Sequence, residues 1–166
     1  MRVKSWIKRL ILGKSFKATF RRSLFVIVGC LVLFKFFLLP VRIQGESMEP
    51  TYKNGSLNFI NTLTYLFKEP ARGDIVAIKM AGRKVMLLKR IIGLPYERIA
   101  FENGRLIING NYYPEDYVKE KGQWDMQEVE VGKDEYFVAG DNRSMPIGEH
   151  ALGRIHRSKI IGGPLL

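Results

Sequence analysis

The sequence predicts a mostly β protein: a compact antiparallel-sheet domain over residues 42–166, preceded by one N-terminal transmembrane helix. Three observations predict it. Apolar residues recur with period two in short runs after residue 42, Asn-Gly dipeptides punctuate those runs, and a 16-residue apolar stretch lies behind a basic N-terminus. At 166 residues the chain has room for one domain of ordinary size, and its apolar content without repeats argues against disorder.

The net charge of +11 points to nucleic acid or to an anionic membrane surface, and its distribution selects between them. Residues 1–22 carry eight Lys/Arg and no acidic residue, whereas residues 42–166 carry 18 basic and 16 acidic side chains. A groove binder of nucleic acid holds its charge on the folded body, so no nucleic-acid partner is expected. Residues 1–22 form a basic tail, and residues 23–41 are the expected anchor. The apolar run LFVIVGCLVLFKFFLL over residues 24–39 is broken only by Lys35. As a helix it covers about 24 Å of a ~30 Å hydrocarbon core, and Lys35, Arg22 and Arg42 can snorkel to the interface. It is apolar all round, unlike a core helix, and lacks the small-residue cleavage site of a secretory signal. The positive-inside rule places the tail in the cytoplasm and residues 42–166 on the extracytoplasmic side, with membrane lipid as a partner. Cys30 falls in the span with a packing role, and a single Cys excludes a disulfide framework or a multi-cysteine metal site.

In the body, residues 57–61, 74–79, 84–92, 98–101, 105–108 and 135–139 read as strands. Asn54-Gly55, Asn103-Gly104 and Asn109-Gly110 are turns, the second closing a hairpin. Residues 111–133 are polar and aromatic without regular period, and are expected as a surface excursion. Arg72-Gly73-Asp74, which resembles a cell-adhesion tripeptide, reads as a turn into the following strand. No helical period follows the anchor.

Three segments carry reactive groups. Ser47 lies between Gly45 and Pro50, on constrained backbone beside Met48. Lys89 falls within a strand, where alternation places it with Val85, Leu87 and Ile91, and Arg90 with Met86, Leu88 and Ile92. Such a lysine is either at a sheet edge or buried; burial lowers its pKa by up to several units and makes it a base near neutrality. Residues 139–144 gather Asp141, Asn142, Arg143 and Ser144 at a strand end. A Ser47–His150–Asp141 triad is also open on sequence. Two histidines without an acidic pair at ligand spacing do not make a metal site, and no cofactor is expected.

Together these segments resemble the bacterial type I signal peptidases, membrane-anchored serine proteases of the Ser–Lys kind. Residues 47–51 (SMEPT) are similar to the family's S-M-x-P-T box, and residues 72–76 (RGDIV) to its R-G-D-I-V segment. Residues 89–95 (KRIIGLP) match K-R-x-x-G-x-P, and residues 140–143 (GDNR) match G-D-N-R. The boxes occur in family order behind an apolar segment. The resemblance implies that Ser47 is the nucleophile and Lys89 its base, with the Ser47 N–H stabilising the oxyanion. Met48, Pro50, Arg90, Asp141, Asn142 and Arg143 would support them. It implies as substrates the signal peptides of secretory preproteins, bound extended with small residues one and three positions before the cut, and the secretion machinery as a further partner. Six residues separate Pro40 from Ser47, at most about 25 Å of extended chain, so the nucleophile works near the bilayer surface.

The sequence departs from the family pattern at two places. Gly45 stands where some members have an oxyanion-hole serine, which leaves that role to backbone or water. Aligning Leu152-Gly153 with the family's aromatic-glycine pair puts Pro146, Gly148 and His150 where a lysine-orienting serine, an aspartate and an arginine are usual. Ser144 is the candidate substitute for the lysine-orienting role, with a Glu149–His150 contact replacing the lost pair. A specialised pilin- or conjugation-type processing peptidase is a narrower variant. A Ser–Lys autoprotease of the LexA-like kind and an inactive membrane-anchored β-domain that binds a partner are the other readings.

Overall fold

The computed structural model describes residues 16–80, 86–151 and 153–165. Residues 1–15 of the basic tail, Lys84 and Val85 at the start of an expected strand, and Leu152 lie outside them. The chain divides into two units, Met1–Leu38 and Leu39–Leu166.

In the first unit, helix α1 spans Phe16–Phe37. It starts earlier and stops sooner than the expected 23–41 span. Pro40 disfavours helical backbone just before it, and the chain is extended from Leu38. Basic residues therefore occupy the first turns of the helix, and its uninterrupted apolar stretch is residues 24–34. Among the described residues, no helix is long and apolar enough to cross a membrane. Phe25, Ile27, Leu31 and Leu33 are all exposed, as expected of a helix that is apolar on every face.

The second unit is built from two antiparallel sheets. The larger takes β1 (Leu38–Arg42), β2 (Leu57–Asn61), β3 (Ile75–Lys79), β4 (Met86–Gly93), β9 (Glu135–Ala139), β10 (Gly153–His156) and β11 (Ile160–Pro164), in the order β1-β2-β11-β3-β4-β9-β10. The smaller takes β5 (Arg98–Glu102), β6 (Arg105–Ile108), β7 (Asn111–Tyr112) and β8 (Met126–Glu130), in the order β7-β6-β5-β8. All six expected strands are present. Asn103-Gly104 and Asn109-Gly110 turn with positive φ at both residues and close the β5–β6 and β6–β7 hairpins. Beyond α1, only 3-10 turns occur among the described residues, at Ile147–Glu149 and Arg157–Lys159.

Alternation divides β9 between two cores. Phe137 and Ala139 join Ile92, Ile99, Phe101 and Trp124, whereas Tyr136 and Val138 join Val76, Ile78, Ile91 and Ile160. Strand β4 is divided the same way, with Leu87 and Ile91 in the second cluster and Ile92 in the first. The 111–133 segment is more than a surface excursion. It supplies β7 and β8 and buries Val118, Trp124 and Val131, because its aromatic and branched residues cover the open face of β5 and β6. Three further strands, β1, β10 and β11, were not expected.

Strand β11 carries Gly162 and Gly163, a composition that disfavours strands locally. Its glycines have a non-local reason. A Cβ on Gly162 would lie 2.2 Å from the Asn61 carbonyl oxygen of β2, a backbone atom that cannot move without breaking the pairing. Gly162→Ala is expected to destabilise the domain by about 2 kcal/mol or more, read from its denaturant midpoint. A midpoint equal to that of the parent chain would contradict the close packing of β2 on β11.

Candidate active site

Strand β4 delivers the basic residues. Lys89 lies opposite Val76 of β3 and is only 2% exposed. Its Nζ is 2.8 Å from Ser47 Oγ, and Ser47 sits in a turn between β1 and β2. Burial pushes the Lys89 ammonium down to about 8, against the pull of the Asp141 charge in the other direction. Lys89 is therefore a buried lysine rather than one at a sheet edge with its head in water. As an amine it can accept the serine proton across this contact.

Arg90 points the other way, as alternation requires. Its guanidinium holds Asp141 through both oxygens, Nε to Oδ1 at 2.8 Å and Nη2 to Oδ2 at 2.6 Å. It also donates to the Gly73 carbonyl at 2.7 Å and lies over the Tyr117 ring. Asp141 is fully buried, and its Oδ2 accepts from Thr51 Oγ1 at 2.6 Å. The next residue, Asn142, holds the Ser47 backbone. Its N–H donates to the Ser47 carbonyl and its Nδ2 to the Glu46 carbonyl, each at 3.1 Å. Arg143 donates to the Gly140 carbonyl, pairs with Glu115 through both terminal nitrogens, and lies against Phe101 and Trp124. Four segments far apart in sequence are thus tied into one hydrogen-bonded framework around Ser47 and Lys89.

Gly45 has φ +95° and donates its N–H to Asn54 Oδ1 at 3.2 Å, which fixes the approach to Ser47. Met48 is buried at 2% exposure, and Pro50 follows a cis peptide bond. Arg72-Gly73-Asp74 is a turn, as expected. The Gly73 N–H donates to the Ile91 carbonyl, and Asp74 accepts from the Tyr65 hydroxyl and the Ala71 N–H.

The expectations for the last segment need correction. Ser144 is exposed and donates to Asn142 Oδ1 at 2.6 Å, so it orients Asn142 and not Lys89. Pro146 starts a 3-10 turn that leaves Gly148 and Glu149 exposed and turns His150 inward. Glu149 and His150 form no replacement pair. His150 is 7% exposed, and among the described residues no hydrogen bond reaches either of its ring nitrogens. The Ser47–His150–Asp141 triad is likewise absent, because Asp141 is engaged by Arg90 and Thr51. Sequence reasoning missed Glu115 and Tyr117. The available signal was a buried Arg143 and Arg90, which need a carboxylate and a ring from somewhere in the aromatic, acidic 111–133 segment.

A cleft of about 300 Å³ opens beside Ser47, lined by Pro40–Gly45, Met48, Ile60, Ala77 and Met86–Leu88. Pairing of β4 with β9 begins at Arg90, so Met86–Leu88 present an unpaired edge on that side among the described residues. An extended peptide can add its own backbone hydrogen bonds there. No group of three or more metal-ligating side chains occurs among the described residues.

The family "Signal peptidase, peptidase S26" matches residues 16–164. The chain belongs to the signal peptidase family. It is accordingly a peptidase. A signal peptidase I P from Bacillus subtilis subsp. natto is 35% identical over 138 residues, covering 76% of this chain and 75% of its own. Signal peptidase I from Bacillus amyloliquefaciens is 33% identical over 153 residues, covering 85% and 79%. A crystal structure of a signal peptidase I from Enterococcus faecalis is 26% identical with a TM-score of 0.46, covering 58% of this chain and 97% of that one.

Proposed function

We propose that this signal peptidase family member is a membrane-anchored serine endopeptidase that removes signal peptides from exported preproteins. The observation that carries this reading is the 2.8 Å approach of Lys89 Nζ to Ser47 Oγ in a site that excludes water from the lysine. Neutral Lys89 takes the Ser47 proton as Oγ attacks the scissile carbonyl, and the Ser47 N–H donates to the developing oxyanion. The protonated lysine then delivers its proton to the leaving amine. Water, deprotonated by the same lysine, hydrolyses the acyl-enzyme. The preprotein lies extended along Met86–Leu88, with its small residues in the cleft beside Ser47.

The anchor belongs to the same proposal. Helix α1 exposes a continuous apolar surface on every side, larger than a water-facing helix tolerates, with Lys17, Arg21 and Arg22 at its start. Lipid is the solvent that fits it, with the basic end on the cytoplasmic side and residues 42–166 outside.

The test is cleavage of a preprotein with an Ala-x-Ala junction by detergent-solubilised protein, beside Ser47→Ala. Cutting by the parent chain and none by the variant supports the reading. Silence from both on several preproteins would reject it in favour of an inactive binding domain. The pH profile of kcat is a second check. Lys89 acts only when neutral, so kcat is expected to rise with pH along a limb centred near 8, falling about tenfold per unit below it. A limb near 4 that vanished with His150→Ala would identify imidazole as the base.

A further inference from the structure

His150 takes no part in the chemistry above, yet it is built into the site's framework. A side chain at Gly140 would come within 3.0 Å of His150 Cε1 and Nδ1 and within 2.1 Å of the Ser47 carbonyl oxygen. The imidazole and the Ser47 carbonyl therefore share the space beside Gly140 that a side chain there would fill. On another side the ring meets Trp124 edge-on, centroids 4.6 Å apart, and Trp124 is itself fixed by donating to the Met145 carbonyl.

The charged groups around it set its state. Lys89 of β4 and Arg143 of the turn after β9 both oppose a charge on the ring. The neighbouring acids are engaged elsewhere, Glu115 by Arg143 and Asp141 by Arg90. Burial, with those two cations, holds His150 down to about 4. The Asn142 backbone favours the protonated ring weakly, but no hydrogen bond of ordinary geometry forms. The ring is neutral throughout the range in which Lys89 titrates.

We propose that His150 is a positioning residue for Ser47, and through it for the Ser47–Lys89 contact: its ring fills the space beside Gly140 that the Ser47 carbonyl also lines, fixing the Ser47 backbone. This rests on the roles assigned to Ser47 and Lys89 under the proposed function. The nitrogens themselves do no chemistry in this arrangement; the shape and apolarity of the ring do the positioning.

The experiment compares His150→Ala, His150→Phe and His150→Leu in the full chain in detergent. Two quantities are read, preprotein cleavage and the titration of Lys89 by pH-dependent reductive methylation. His150→Ala is expected to lower kcat by about 10- to 100-fold with KM within about twofold, because a loosened nucleophile loses orientation and not substrate contacts. Its Lys89 titration should move upward, as the loosened Ser47 contact lets water reach the amine. The Phe or Leu variant, whichever folds, should restore both readings toward the parent chain. Unchanged Lys89 titration and kcat in His150→Ala would overturn the proposal. So would Phe and Leu variants as slow as Ala, since the nitrogens would then be needed. A parent chain that cuts no preprotein, yet shows the Lys89 shift in His150→Ala alone, would sink the peptidase reading and uphold the positioning role.

Discussion

Lys89→Met is expected to cost at least about a thousandfold in kcat while making the protein more stable. The two effects have one cause. Lys89 is 2% exposed, and burial takes its ammonium from the ordinary 10.5 down to about 8. At about 1.4 kcal/mol per unit, holding that amine in the fold costs roughly 3 kcal/mol near neutrality. The sign follows from proton counting. Between about 8 and 10.5 the unfolded chain binds a proton at this lysine that the folded chain does not, so stability rises with pH across that window. The cost is complete below about 8 and gone above 10.5. Methionine keeps the volume and removes the charge, so Lys89→Met should melt higher at pH 7 and lose its advantage by pH 10.5. Thermal unfolding at both pH values, beside the cleavage assay, reads the pair of effects. A variant no more stable than the parent at pH 7 would mean that the lysine is hydrated, and the proposed base would lose its physical ground. Ser47→Ala should be as inactive without this gain, because the burial of Lys89 remains.

Asp141→Ala is expected to destabilise the domain by about 3–5 kcal/mol. Asp141 is fully buried, and the Arg90 guanidinium it holds is largely out of water. Removing the carboxylate leaves that cation and the Thr51 hydroxyl without their partner. The cost is that of the abandoned charge, so Asp141→Leu combined with Arg90→Met should recover much of it. A loss below about 1 kcal/mol for Asp141→Ala would show that Arg90 finds water instead. The same residue has an opposite effect on chemistry. The Asp141 charge favours the protonated form of Lys89, so Asp141→Asn should move the acid limb of kcat to lower pH even as it weakens the fold.

The local elements of this protein follow from its sequence. Period-two runs became β2, β3, β4, β5, β6 and β9, and the predicted hairpin turn at Asn103-Gly104, like the turn at Asn109-Gly110, has the left-handed backbone that Asn-Gly adopts without strain. Alternation placed Lys89 with Leu87 and Ile91 but left a sheet-edge and a buried lysine both open, and only the packing decided for burial. The four boxes were readable as a set because each keeps its short spacing. What sequence could not supply was anything fixed by a partner distant along the chain. Strand β11, rich in glycine, forms because β2 and β3 approach from both sides, and Gly162 is there to allow that approach. Ser144 carries the hydroxyl that the spacing suggested, but the turn begun at Pro146 directs His150 inward and leaves Ser144 on Asn142. Glu115 is indistinguishable in sequence from any surface acid until Arg143 reaches it. Short-range pattern sets which residues alternate and where the chain turns, because those depend on neighbours a few bonds away. Which charge meets which, and which ring packs beside Gly140, depends on closing loops of tens of residues, and only the folded packing decides it.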